Sequence, residues 1–154
     1  MAAYITGFLY TLVLSLWVGG ISLFTFIITP AIFSSFERNM AGAVVGKLFP
    51  GYFLTNLLLS VAALLLLLFF RERAGFRISL LLAVLAILIN CYVQFILHPQ
   101  VREVKKRIHS FESEPESALR GKFRRLHGVS AVLNLVLLAD GVTLLYISRR
   151  FGPY

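Results

Sequence analysis

The chain has 154 residues, 58% apolar and 14% charged, with a mean hydropathy of +0.84. Soluble domains run at roughly 45–50% apolar and about 25% charged, so this composition excludes an ordinary soluble globule and a disordered chain, and the single cysteine, Cys91, excludes a disulfide scaffold. The net charge of +8 sits between apolar blocks, which assigns it to membrane orientation and anionic lipid headgroups and not to nucleic acid.

Crossing the hydrocarbon core takes about 20 residues of helix. Four blocks meet this length, at residues 8–29, 51–70, 78–97 and 128–148, and only the last contains a charged residue, Asp140. The expected fold is an all-α integral membrane protein, one domain over residues 1–154, with four transmembrane helices in an antiparallel bundle. A long, basic, partly helical loop joins helices three and four. The first block is read as a retained span: residues 1–7 carry no Lys or Arg, the apolar stretch exceeds that of a signal peptide, and no A-x-A pattern follows.

Pro30 and Phe33 are read as ending span one, and Phe49, Pro50 and Tyr52 as beginning span two. Between them, residues 34–48 form a first loop, where Gly42 and Gly46 fit a short surface helix. Pro99 is expected to end or kink span three. Val101, Val104 and Ile108 then recur at helical spacing among lysines and arginines, the pattern of an amphipathic interfacial helix. Ser113 and Glu116, with Pro115 between them, match a capping box that would start a second helix leading into span four. No internal repeat is evident in the sequence.

Loops one and three hold ten Lys/Arg, against five on the other side. The positive-inside rule then places loops one and three in the cytoplasm and both termini outside, in a bacterial inner membrane.

Polar groups inside a bilayer mark packing contacts or function. Asn90, Gln94 and His98 share one face of span three at i, i+4, i+8, with Cys91 beside them, and this stripe is expected to face the bundle interior. His127, Ser130 and Asn134 share one face at the start of span four, while Asp140 lies about 220° around the helix from His127. His98 and His127 both fall at the loop-three side. Neutral imidazole ligates metals and haem and relays protons, so His98 and His127 are the candidate ligands, with Gln94, Asn134 and Cys91 lining the path. The bland alternatives stay open beside this reading: interfacial or capping histidines, hydrogen-bonding amides that only join helices, Cys91 as apolar filler, and Asp140 snorkelling outward. Trp17, Gly20 and Phe24 share a face of span one and are read as packing, with Gly20 admitting a neighbouring helix.

Trp17-Val18-Gly19-Gly20, Pro30, Phe33, residues 47–53 (KLFPGYF), His98-Pro99, and residues 123–130 (FRRLHGVS) with Asn134 together resemble the transmembrane protein 205-like family, a domain of unknown function in bacteria. The resemblance covers nearly the whole chain and implies a four-span membrane protein. A eukaryotic member is associated with cellular resistance to platinum drugs, which implies metal or drug handling. A fainter likeness connects the tryptophan and following glycine of span one to four-helix membrane proteins of the copper-resistance and protoporphyrinogen-oxidase type. The haem-binding oxidases carry a histidine roughly one and a half to two turns before that tryptophan. Here the alignable residue is Tyr10, and span one contains no histidine.

No P-loop, GxGxxG, CxxC, HExxH or GxSxG pattern is present, which argues against a hydrolase or nucleotide enzyme. Three functions remain open. The first is a protein that binds or moves a metal ion or small metal complex near the cytoplasmic face. The second is a non-catalytic assembly or helper subunit, and the third a haem-binding redox protein. Four short spans leave little room for a private pathway, so a transporter would act as a homo-oligomer.

Overall fold

The computed structural model describes residues 1–108 and 117–149, and its elements are helical. Helix α1 (Ala2–Leu23) passes through a π-helical turn (Phe24–Ile28) into α2 (Thr29–Ser35). Helix α3 (Arg38–Leu67) ends in a 3₁₀ turn (Leu68–Phe70). Helix α4 (Phe76–Tyr92) passes through a second π-helical turn (Val93–Leu97) into α5 (His98–Lys106), and α6 spans Ser117–Ser148. Joined through their turns, these pieces make four helices long and apolar enough to cross a bilayer: Tyr4–Ser35, Arg38–Phe70, Phe76–Lys106 and Ala118–Ser148.

Each predicted span lies inside one of these helices, but the boundaries agree only at the end holding the termini. At the opposite, basic end every helix runs on past its predicted span. The expected first loop is therefore absent. Phe36 (φ −128°, ψ 152°) and Glu37 (φ −54°, ψ 148°) make the whole connection, and α3 starts at Arg38. Sequence hydropathy misses this stretch because it is amphipathic: Ala41 and Val45 are buried four residues apart while Lys47 and Leu48 remain exposed. The stripe on α5 behaves in the same way, burying Val104, and Ile108 just beyond the helix is buried with it. Of the two outcomes expected at Pro99, an end or a kink, the helix does not end there: it is distorted by a wide turn just before the proline and continues as α5. The Ser113–Glu116 cap lies outside the described residues.

Proline accounts for the two wide turns. Pro30 and Pro99 have no N–H to offer the carbonyls of Phe26 and Phe95 four residues back. In each case the turn before the proline widens. The Thr29 N–H donates to the Phe24 carbonyl, and the His98 N–H donates to the Val93 carbonyl, both five residues back. Residues 24–30 (FTFIITP) and 93–99 (VQFILHP) thus repeat one geometry that the sequence did not advertise.

Helix α3 packs on α1 and α4, and α6 packs on the same two. Ring contacts set the register of α1 on α3. Phe24 stacks on Tyr52 at 4.2 Å between centroids, and Tyr10, nearer the chain start, packs on Phe70 at 6.0 Å. The outward faces carry Leu58, Phe69, Leu81 and Leu88, all exposed, whereas Asn56, Ser60, Ser79, Asn90 and Asp140 are buried. Apolar outside and polar inside is the arrangement that hydrocarbon as solvent favours.

Among the described glycines, the tight helix approach is not at Gly20, where a Cβ would meet nothing within 4 Å. It is at Gly141 of α6, where a Cβ would lie 2.9 Å from Val18 Cγ2 and 3.7 Å from the Trp17 ring. Trp17 does pack as expected and is fully buried, but Gly20 sits on the exposed side of α1. Gly75, at φ +93°, makes the turn into α4 in a left-handed conformation that favours glycine.

Candidate functional site

The helix extensions at the basic end enclose a cavity of about 800 Å³. Every residue lining it lies outside the predicted spans: Phe33 from α2, residues 38–50 of α3, His98 to Ile108 around α5, and Phe123 and His127 of α6. At about 1.5 Å per helical residue the extensions reach roughly 10–20 Å beyond the predicted hydrocarbon boundary, which is the level of lipid headgroups.

Its walls combine two chemistries. Phe33, Phe49, Pro50, Val101 and Phe123 supply apolar surface, while Arg38, Lys47, Arg102, Lys105 and Lys106 supply positive charge. No acidic side chain lines it among the described residues. Lys105 is held from below. Its Nζ donates to the Gly42 carbonyl and lies 3.2 Å from where a Cβ on Gly46 would sit, so the two glycines, one turn apart on α3, admit the lysine chain between α3 and α5. The sequence places Gly42 and Gly46 on a short surface helix and Lys105 in a basic amphipathic segment, without pairing them. Only a glycine pair at i, i+4 hinted at a close approach, and nothing in the sequence named its partner.

His98 and His127 line the same cavity. They rest on different aromatic supports. His98 meets Phe53 edge-on at 5.6 Å and Phe49 at 6.3 Å, whereas His127 stacks on Phe123 one turn away at 5.9 Å with the rings 3° from parallel. Gln94, Asn134 and Cys91 are not among the lining residues. Among the described residues, no three His, Cys, Asp or Glu side chains come together as a metal site.

Asn134 serves a different purpose. Its Oδ1 accepts from the Tyr52 hydroxyl at 2.5 Å, and its Nδ2 donates to Thr25 Oγ1 at 2.7 Å. This triad fastens α6 to α3 and to the first wide turn, directly beneath the cavity. Asn90 Nδ2 donates to Ser60 Oγ at 3.4 Å in the buried interior. Gln94 lies in the second wide turn with its Oε1 buried, and Cys91 is half-buried. Ser130 is half-buried on α6, while Pro30 and Pro99 are exposed. Asp140 is 6% exposed, so it does not snorkel to the surface.

A family described as a domain of unknown function, DUF4149, matches residues 12–110. The chain belongs to this family. The match runs from α1 through α5 and so includes all of the cavity except what α6 contributes. An uncharacterised protein of Aquifex aeolicus (strain VF5) is 32% identical over 139 residues, covering 89% of this chain and 93% of the relative. No solved structure matches.

Proposed function

We infer that this DUF4149 protein is a bilayer-embedded binding protein whose basic-end cavity takes an amphipathic anion, a phosphate or carboxylate carried on an apolar body. One observation carries the reading. The cavity lies beyond the four predicted spans and joins aromatic walls to five Lys and Arg side chains, with no acidic residue lining it among the described residues. A free metal cation meets net repulsion there, whereas an anion with an apolar tail satisfies both wall chemistries. Lys105 is the anchor, because the Gly42 carbonyl orients its ammonium group and leaves further N–H donors for the ligand.

The four helices form an antiparallel bundle in this reading, supported by the opposed numbering of the α1–α3 ring contacts. Loops one and three face the cytoplasm, both termini lie outside, and the membrane is the bacterial inner membrane, as the Lys/Arg excess and the bacterial relative suggest. The basic rim then meets anionic headgroups of the cytoplasmic leaflet. Movement of the ligand across the membrane would engage a second copy of the chain.

The test is native mass spectrometry of the detergent-purified protein with dodecyl phosphate and, as a control of equal tail length, dodecyltrimethylammonium. The expected result is one bound dodecyl phosphate, weakened about tenfold in Lys105→Gln/Arg102→Gln, a loss the size of one charge-assisted hydrogen bond. Equal binding of the two amphiphiles, or none of either, overturns the reading.

A second reading draws on both imidazoles lining one cavity: the anion carries a metal. Haem meets that description, since its macrocycle is apolar, its propionates are anionic and its iron accepts imidazole. This is where the metal-complex function implied by the transmembrane protein 205-like resemblance would reside, with His98 and His127 as ligands. Metal content and the Soret absorption of wild type, beside His98→Ala/His127→Ala, test it. Signals lost in the double variant support a metal-bearing ligand, and their absence from wild type expressed with haem and metal available removes it.

A further inference from the structure

We propose that Asp140 is a proton-exchange site at the centre of the helix assembly, reached from the basic-end cavity along a polar track. The inference does not depend on which anion the cavity holds.

Packing fixes the depth of Asp140. Thr25 meets Asn134, and Trp17 and Val18 meet Gly141, so Asp140 is level with Trp17. Trp17 lies midway between Phe24 and Tyr10, which contact Tyr52 and Phe70, so it is level with Ser60 on α3. Ser60 in turn accepts from Asn90 of α4. Asp140, Trp17, Ser60 and Asn90 therefore form one buried layer to which all four long helices contribute, at 6%, 0%, 0% and 0% exposure.

From that layer a polar track leads toward the cavity. Asn56 lies one turn from Ser60 on α3 and beside the Tyr52 hydroxyl, which leads to Asn134 and Thr25. Gln94 follows Asn90 by one turn on the same side, and His98 ends that row at the cavity wall. Along this route Asn56 Nδ2, Asn90 Oδ1, Gln94 Oε1, Trp17 Nε1 and both Asp140 oxygens are buried with no hydrogen-bond partner among the described residues. Dry unpaired polar atoms are costly in hydrocarbon, and buried polar groups are ordinarily satisfied by ordered water. The row of such atoms points to a hydrated file ending on the carboxylate. On the far side of the layer the buried side chains are mostly apolar, among them Leu14, Ala63, Leu67, Ala83 and Leu144, and the Tyr10 and Ser79 hydroxyls are buried there too.

Among the described residues no cation is brought against Asp140. The first three predicted spans carry no charged residue, and Arg149 stands at the far end of α6. The titratable side chains brought by the packed elements are Tyr10 of α1, within electrostatic range, Tyr52 of α3 and the half-buried Cys91 of α4. A lone carboxyl so placed binds a proton, and ionisable groups inside membrane bundles recur as proton relays. Through the track, proton occupancy at Asp140 is linked to conditions on the cavity side.

Infrared spectroscopy of the full chain in lipid nanodiscs tests this at neutral pH, where solvated glutamates, with a reference pKa of about 4.3, are ionised. Wild type is expected to show a carboxylic-acid carbonyl band that shifts in heavy water and is missing from Asp140→Asn. Tyr52→Phe and Asn56→Leu should retain the band and slow its exchange by about tenfold, the rate equivalent of one lost hydrogen-bonded step. Thermal melts matching wild type establish that the variants fold, and Tyr52→Phe, which removes a single oxygen, carries the test if Asn56→Leu does not. A spectrum indistinguishable between wild type and Asp140→Asn overturns the proton site. A band that never exchanges, or exchanges equally fast in the track variants, overturns the track.

Discussion

The two ends of this molecule use the same four helices for opposite purposes. Toward the termini the interior is close-packed and mostly apolar: Tyr10, Leu14, Leu67, Ala83 and Leu144 interlock, and Gly141 lets α6 rest against Trp17 and Val18. Toward the basic end both proline-linked wide turns occur, aromatic rings stack on one another, and the helices part around a cavity. Small residues bring helices together when hydrocarbon offers no hydrophobic drive, whereas bulky rings and prolines hold them apart. Stability is thus concentrated in one half and binding capacity in the other.

Truncation should separate the halves most sharply. Trp17→Ala should cost about 3–5 kcal/mol, the range for emptying a buried large aromatic site, while Phe49→Ala beside the cavity should cost only about 1–2 kcal/mol. Unfolding in mixed micelles by sodium dodecyl sulfate measures both, and equal losses would break the contrast. Next in size is Gly141→Val, expected to cost about 1–3 kcal/mol through overpacking against Val18, with Gly20→Val within about 0.5 kcal/mol on its exposed face. If Gly20 proved the more sensitive glycine, the register of α1 against its neighbours would be wrong.

Asn134→Leu strips partners from both Tyr52 and Thr25 and should cost roughly 1–2 kcal/mol, the upper range for hydrogen bonds between membrane helices. The same unfolding titration reads it, and a neutral result would mean that the triad does not fasten the basic half. The smallest effect on stability should come from Gly46→Ala, under about 0.5 kcal/mol, because the added methyl meets only the mobile end of Lys105. Its signature lies in binding: dodecyl phosphate retention should fall while the unfolding midpoint stays put. A variant that binds as wild type does would remove Lys105 as anchor.

Much of the contrast was hidden from the sequence for identifiable reasons. Hydropathy located the four spans and came close to their boundaries at the terminal end, where helix and hydrocarbon stop together near Phe70 and Ser148. It failed at the basic end because Arg38 to Phe49 and His98 to Lys106 are helical yet amphipathic, and charge reads as loop. Pro50 reads as a boundary and Pro99 as an end or a kink, but Pro50 lies within α3, and at Pro99 the preceding turn widens and the helix continues. The polar stripe of span three was visible from spacing, and Asn90, its innermost member, is fully buried. Spacing alone did not reveal that Ser60 receives it, or that Asn134 answers Tyr52 and Thr25 and stays out of the cavity wall.

Local chemistry, written in the order of residues, determined that the chain is helical, that four stretches suit a bilayer, and that positive charge gathers at one end. Each of these follows from one segment read by itself: apolar run length, turn residues and Lys/Arg count. Only the tertiary structure decided that Gly141 and not Gly20 is the point of close approach, that Lys105 lies in a glycine crevice of another helix, and that Asp140 shares a layer with Trp17, Ser60 and Asn90. Those are relations between helices far apart in sequence, set by register and rotation at the packed faces, and no periodicity within one helix encodes its rotation against another.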